Sequence, residues 1–472
     1  MRTVARVLVA AALLAGCATA PSAPTPTPTP DPGLPGRLVA DVTGDGAFRH
    51  LEELQRIADA NGGTRALGTP GYDASVEYVA GVLRTAGYQV ETPPFTVSEF
   101  TVQEQRLSVD GANVETLALG FSPSTPPGGL TAPLAVVAQD DTSGCEPADF
   151  AGMAAGSVVL VRRGTCTFAQ KVTTAASAGA AAVLIANNAE GLPVGTTLGE
   201  DATGVVPAAG VSGTDGASLA ARPGAQVNLV LATTTQRTES RNIIAQTTTG
   251  DPAEVVMAGA HLDSVPEGPG INDNGSGTAA LLETAVRLGG APPVANAVRF
   301  AFWGAEEIGL VGSSEYVESL AEPDRERIAL YLNVDMVASP NAAYFAYDGD
   351  DSDGEGVGPG PAGSGGIERV LVEGLAAAGV TAEGTDFSGR SDYGPFIEVG
   401  IPSGGLFTGA EVLKTPEQAK LWGGSAGVAY DSCYHQACDR TDNIDRTALD
   451  RNTDALAAAV ARFALSTEAL RN

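Results

Sequence analysis

The chain has 472 residues, 43% of them apolar, with 27 Lys+Arg against 56 Asp+Glu and a formal net charge of −29. That length supports two domains with cores of their own, and the apolar content excludes a disordered chain. The charge would repel phosphate backbones and anionic headgroups, which excludes nucleic acid as a partner and electrostatic binding to membranes.

The chain opens with Arg2 and Arg6 before an apolar run from Val7 to Ala15. The run falls short of the about 20 residues that a span needs, so residues 1–16 read as an export signal. Leu14-Ala15-Gly16-Cys17 resembles the lipobox of bacterial lipoproteins, which implies cleavage before Cys17 and acylation of its thiol. Losing residues 1–16 removes two arginines, and the mature charge becomes 25 − 56 = −31. Residues 17–38 are Thr/Pro-rich and form a semi-rigid tether. The expectation is an exported monomer, either secreted or anchored outside the cell, touching the membrane only through a lipid on Cys17.

With Cys17 lipidated, four cysteines remain, an even number that suits an oxidising exterior. Proximity favours Cys145–Cys166 and Cys433–Cys438, one of three possible pairings; the lack of a CxxC pair argues against thiolate-bound zinc.

Helical spacing of apolar residues covers Gly46–Ala60 and Tyr72–Ala86, ending at Asn61-Gly62-Gly63 and Gly87. His50 on the first of these reads as a surface residue. From about Phe100 to Thr238 the texture shifts to short β-like runs broken by Gly, Pro and Thr. Within it, Val158–Val161, Arg163-Gly164-Thr165-Cys166-Thr167-Phe168, Lys171 and the Ala-rich run to Asn187-Asn188 resemble a protease-associated (PA) domain, placed at 105–235.

Beyond Asn242 strands and helices alternate: Val255–Ala260, Gly277–Leu288, Val298–Trp303, Gly312–Leu320, Ile328–Val334, Ile367–Ala378 and Ala448–Ala464. This pattern predicts an α/β fold, a three-layer sandwich around a mostly parallel central sheet, spanning 39–104 and 236–468. In such sheets the ligand lies beyond the carboxyl ends of the strands.

The residues just past those ends form a consistent set. His261-Leu262-Asp263 follows the first strand, and its loop delivers Gly270-Ile271-Asn272-Asp273-Asn274-Gly275-Ser276-Gly277. Glu306-Glu307 follows the second strand and Asp335-Met336 the third, and His435 lies in a loop further on. Imidazoles and carboxylates together suit zinc. Two Zn²⁺ bring +4, balanced by −3 from Asp273, Glu307 and Asp335 and −1 from a hydroxide, so two ions neutralise the cluster. Glu306 is left over as an acid–base group, because adjacent carboxylates at a strand-to-helix turn diverge. Asp263 is placed to accept the second N–H of His261.

HLDS, GINDNGSG, WGAEEIGLVGS, LNVDM, GRSDYGPF, GLFTGA and CYHQACD together resemble peptidase family M28, specifically the secreted bacterial dizinc aminopeptidases of leucine-aminopeptidase type. The resemblance implies that Asp273 bridges two Zn²⁺, with His261 and Asp335 on one and Glu307 and His435 on the other. It makes Glu306 the general base and Tyr434 a donor to the developing oxyanion, with Arg390, Phe407 and Met336 contacting substrate. It implies cleavage of N-terminal residues, large and hydrophobic by preference, from peptides or proteins. It also implies one Ca²⁺ held by Asp41, the Val42 carbonyl, Asp450 and Asp454; the last two are i, i+4 on one helix face. The run Asp348-Gly349-Asp350-Asp351-Ser352-Asp353 fails EF-hand spacing and reads as a solvated loop. A carboxypeptidase of the same family would need basic residues for a terminal carboxylate, and Arg390 is the only one in these motifs. A non-catalytic receptor would have lost ligands, and none is missing here.

Overall fold

A computed structural model describes residues 29–471. The signal at 1–16, Cys17 and most of the tether lie outside the described residues.

Strand alternation builds the larger unit. In the Asp251–His261 strand, Val256, Ala258 and Ala260 face one buried layer and Met257 the other. The first layer is closed by helices Gly44–Ala60, Pro70–Thr85, Gly277–Leu288, Ser364–Ala377 and Arg446–Leu465. The second is closed by Val311–Ser319 and Gly394–Glu398 under Trp303, Tyr331 and Phe396. Sequence sets the helix starts: Thr43 and Thr69 side chains accept the Gly46 and Tyr72 amides, and Pro70 opens the second helix.

The sheet has eight strands in the order Gln89–Glu91, Ile243–Gln246, Asn296–Trp303, Asp251–His261, Ile328–Val334, Ser403–Phe407, Phe345–Tyr347, Glu383–Thr385. The four central strands are mutually parallel, as expected; antiparallel pairings occur only towards the two edges. All four parallel carboxyl ends therefore open on one rim.

The insert is a second eight-stranded sheet with small cores on its two faces. Its stem is a pair of 16-residue strands, Pro94–Val109 and Gln226–Arg241, paired from Pro94↔Arg241 to Val109↔Val227. A boundary at 105 and 235 therefore cuts through this ribbon; the sheet itself runs from Pro94 to Arg241.

Two more expectations need correction. Leu34–Asp41 is a helix whose Leu34 and Leu38 are buried in the main core, and the Asp31 amide donates to the Pro293 carbonyl at 3.0 Å. The tether therefore ends before about Asp31 rather than at 38, because two leucines four apart supply an apolar stripe. His50 is not a surface residue: its ring, 13% exposed, bonds the Tyr78 hydroxyl at 2.6 Å and lies 3.8 Å from Glu283.

Candidate metal centre

His261 ends its strand with 1% exposure. Its Nε2 lies 3.3 Å from Asp273 Oδ1, 3.5 Å from Asp335 Oδ1 and 3.9 Å from Glu306 Oε2. The other Asp273 oxygen lies 3.1 Å from His435 Nε2, which is 3.0 Å from Glu307 Oε2. The Asp273 carboxylate thus stands between two groups, one oxygen towards His261 and Asp335, the other towards His435 and Glu307. All five expected ligand side chains meet here, with Glu306 beside the first group.

Each is held by its loop. The Asp273 loop is hung on Asp439, whose carboxylate accepts the Asn272 amide at 2.7 Å and the Asp273 amide at 2.9 Å. Asn274 pins its other side, donating to the Val334 carbonyl and accepting from the Gly277 and Met336 amides. The Glu306–Glu307 turn enters and leaves through positive φ at Ala305 (61°) and Leu310 (59°), conformations that non-glycine residues adopt rarely. Asp263 braces that turn, accepting the Glu306 amide at 3.2 Å and the Glu307 amide at 3.3 Å. This adds to its expected role: its carboxylate lies 3.6 Å from His261 Nδ1 and its backbone carbonyl 3.3 Å from the same nitrogen. Carbonyl and carboxylate both face the imidazole, and the carboxylate also holds the turn.

Ser391 donates to Asp335 Oδ2 at 2.5 Å. The Cys433–Cys438 disulfide closes the loop bearing Tyr434 and His435, whose rings stack at 3.9 Å. The second disulfide, Cys145–Cys166, lies in the insert. Arg390 donates to the Tyr434 hydroxyl at 3.2 Å and to Glu411 at 3.0 Å. Met336 and Phe407 join Arg390 and Tyr434 in the wall of a cavity of about 940 Å³ that opens beside the cluster.

The electrostatics call for cations. Burial pushes Glu307 up to about 7, with Asp273 adding to it, and burial holds Glu306 well above the usual range despite His261. Burial opposes charge on His435, yet Asp273 and Glu307 raise it to about 10. Burial likewise works against a charged Asp273, but His261 and His435 hold it low. Glu307 Oε1 and Asp335 Oδ1 are buried with no hydrogen-bond partner. Buried carboxylate oxygens left without donors are costly, and divalent cations would satisfy them. The residues present therefore fit zinc.

Sequence reasoning missed several supports. Arg65 is fully buried, donating to the carbonyls of Leu262, Pro269 (2.8 Å) and Gly270 (2.6 Å) on the His261–Asp273 loop. Nothing in Gly62-Gly63-Thr64-Arg65 signals it. Asp439 and Asp392 lay within motifs already singled out, next to Cys438 and Ser391, where adjacency to those residues was the available signal. Asp392 is buried, and burial raises it to about 7, with Asp335 among the charges adding to that.

The calcium group is less complete. Asp450 Oδ1 accepts the Gly44 amide at 2.6 Å, and burial together with Asp450 pushes Asp454 up to about 6. Asp41, Asp450 and Asp454 do not form a cluster of convergent ligand atoms among the described residues. Asp348, expected in a solvated loop, is buried, its carboxylate accepting the Ser352 and Asp353 amides at 3.0 and 3.1 Å.

Residues 242–460 match peptidase family M28, and residues 130–219 match the PA domain. The chain is 52% identical over 427 residues to a probable lipoprotein aminopeptidase of Mycobacterium tuberculosis, covering 90% of this chain and 85% of that one. The chain belongs to peptidase family M28. An aminopeptidase of Pseudomonas aeruginosa is 45% identical over 436 residues, covering 89% of this chain and 81% of its own length. Among solved structures, the aminopeptidase from Aneurinibacillus sp. strain AM-1 aligns with a TM-score of 0.56 at 27% identity, covering 91% of this chain and 96% of that one. A zinc aminopeptidase from Bacillus subtilis aligns at 0.53 with 28% identity, covering 90% and 96%. This M28 peptidase carries its PA domain as the insert on the Pro94–Arg241 ribbon.

Proposed function

We propose that the chain is a zinc aminopeptidase that removes N-terminal residues from peptides, preferring large hydrophobic ones, at a centre built for two zinc ions. The observation that supports this most is the divided Asp273 carboxylate, with an imidazole and a further carboxylate at each oxygen. His261 and Asp335 would hold one ion, Glu307 and His435 the other, and Asp273 both. When bound, zinc polarises a scissile carbonyl and makes water more acidic.

The remaining work falls to side chains. Glu306 takes a proton from the attacking water and returns it to the leaving nitrogen, a role suited to a carboxyl whose affinity for protons is raised by burial. Tyr434 keeps its proton, since burial and Asp273 raise it, and its hydroxyl donates to the developing oxyanion. Arg390 fixes that hydroxyl from behind and faces the substrate backbone, while Phe407 and Met336 line the side-chain pocket.

A carboxypeptidase is disfavoured because Arg390, the only Lys or Arg among the described residues that line the cavity, is already paired with Glu411. Export as a lipoprotein rests on the Cys17 motif; no helix among the described residues is long and apolar enough to cross a membrane. Calcium belongs to this reading as a separate ion at Asp41, the Val42 carbonyl, Asp450 and Asp454, and we take the chain to act as a monomer.

The test is turnover of leucine p-nitroanilide against its N-acetyl derivative, with chelator and zinc add-back. Cleavage of the free amine alone, abolished by chelation and restored by zinc, is expected. Equal cleavage of both, or cleavage indifferent to chelation, would overturn the reading.

A further inference from the structure

The cavity extends past the metal centre, and further acids line it. Outside the centre it is lined by Asp353, Glu355, Glu383, Asp386 and Glu411, against Arg390 alone, which Glu411 neutralises. Sheet register places one of these acids in line with the pocket wall. Phe407 pairs with Phe345, and Phe345 pairs with Glu383, so the three side chains stand in one row on one face. Neighbouring strands lie about 4.8 Å apart, which puts Glu383 about 10 Å beyond Phe407, at the end of an aromatic floor.

Glu383 is braced there. Gln418 Nε2 donates to Glu383 Oε2 at 3.0 Å, and Gln418 Oε1 in turn accepts the Tyr430 hydroxyl at 2.5 Å. Gln418 itself is fixed in a capping box with Thr415. The carboxylate is half-buried and lines the cavity, and no Lys, Arg or His among the described residues forms an ion pair with it. A pocket meant only for leucine or phenylalanine has no use for a braced carboxylate at its end.

We infer that the enzyme also takes peptides with N-terminal lysine or arginine, Glu383 being the specificity residue that receives their charge. Long cationic side chains lay an aliphatic stem along apolar surface and carry the charge at its tip, which matches Phe407 and Phe345 leading to Glu383. This rests on the aminopeptidase reading and adds a substrate class to it.

The experiment uses the full mature chain with p-nitroanilides of lysine, arginine and norleucine, the last matching lysine in its stem without the charge. The readout is the ratio of kcat/KM for lysine over norleucine, which does not depend on the fraction of folded enzyme. In the wild type at low salt the ratio is expected near or above one, falling as KCl screens the pair. Glu383→Gln is expected to lower it about tenfold, the scale of one hydrogen bond to a charged group, and Glu383→Asp to lower it less. A wild-type ratio below about one-tenth, or the same ratio in wild type and Glu383→Gln, overturns the proposal. Norleucine turned over without lysine sinks this inference alone; neither turned over sinks the aminopeptidase reading with it.

Discussion

Two regions of this molecule gather carboxylates, and they resolve the repulsion in opposite ways. At the loop around Asp348 the backbone supplies much of the answer: the Ser352 and Asp353 amides hold Asp348 below its ordinary range despite burial, while Glu368, raised by burial and by Asp348 and Asp350, accepts the Gly349 amide at 2.9 Å. At the rim of the parallel strands the amides go instead to Asp263 and Asp439, which carry the loops, while Glu307 and Asp335 each keep one buried oxygen without a donor. The acids around Asp348 also converge, but the Asp348 oxygens take backbone donors; at the rim two buried oxygens lack donors and imidazoles stand beside them, the pattern that suits zinc.

The comparison breaks first at Glu306. Glu306→Gln keeps the shape and removes the proton carrier, so kcat should fall about 10³-fold at unchanged Tm, and a loss under tenfold would remove Glu306 from the chemistry. The next effect concerns the ions. Chelation should lower Tm by about 5–10 °C, since each of two ions at 100 times its Kd stabilises by about 2.7 kcal/mol. Asp273→Asn should largely abolish that shift and Asp348→Asn should not; equal responses in the two variants would erase the distinction between the regions. On the structural side, Asp348→Ala strips two amides of their acceptor and should cost about 1–3 kcal/mol in urea unfolding. Its metal content should stay at the wild-type level.

The smallest effect is at Asp454. Its folded pKa of about 6 lies above its ordinary value of 3.8, so its favourable contribution is complete below about pH 4 and is lost as pH rises through 6. Asp454→Asn should therefore be slightly more stable than the wild type at pH 7.5, by well under 1 kcal/mol for a half-buried group, and no more stable at pH 4. If calcium is held there, adding it should stabilise the wild type and leave the variant unmoved.

Much of this was legible in the sequence because of where it lies. His261, Asp273, Glu306, Glu307 and Asp335 each follow a strand with a clear apolar run or sit in the loop behind it, so the rule for parallel sheets located them together. His435 was legible through its short cysteine loop. Arg65, whose side chain donates to backbone carbonyls about 200 positions away, left no local trace. Glu383 lies on a three-residue edge strand too short to show periodicity, and its alignment with Phe407 exists only through the register of two other pairings. The second role of Asp263 was hidden for the same reason: proximity in sequence pointed to His261, and folding brought the Glu306 turn closer to its oxygens.

The central claim is that Asp273 stands between two cations. Metal analysis of the purified protein with zinc in slight excess, followed by exhaustive dialysis, tests it directly, alongside Asp273→Ala. We expect about two zinc ions per chain in the wild type and the loss of both sites in the variant, because a shared ligand serves each. One ion in the wild type, or two retained without Asp273, would contradict it.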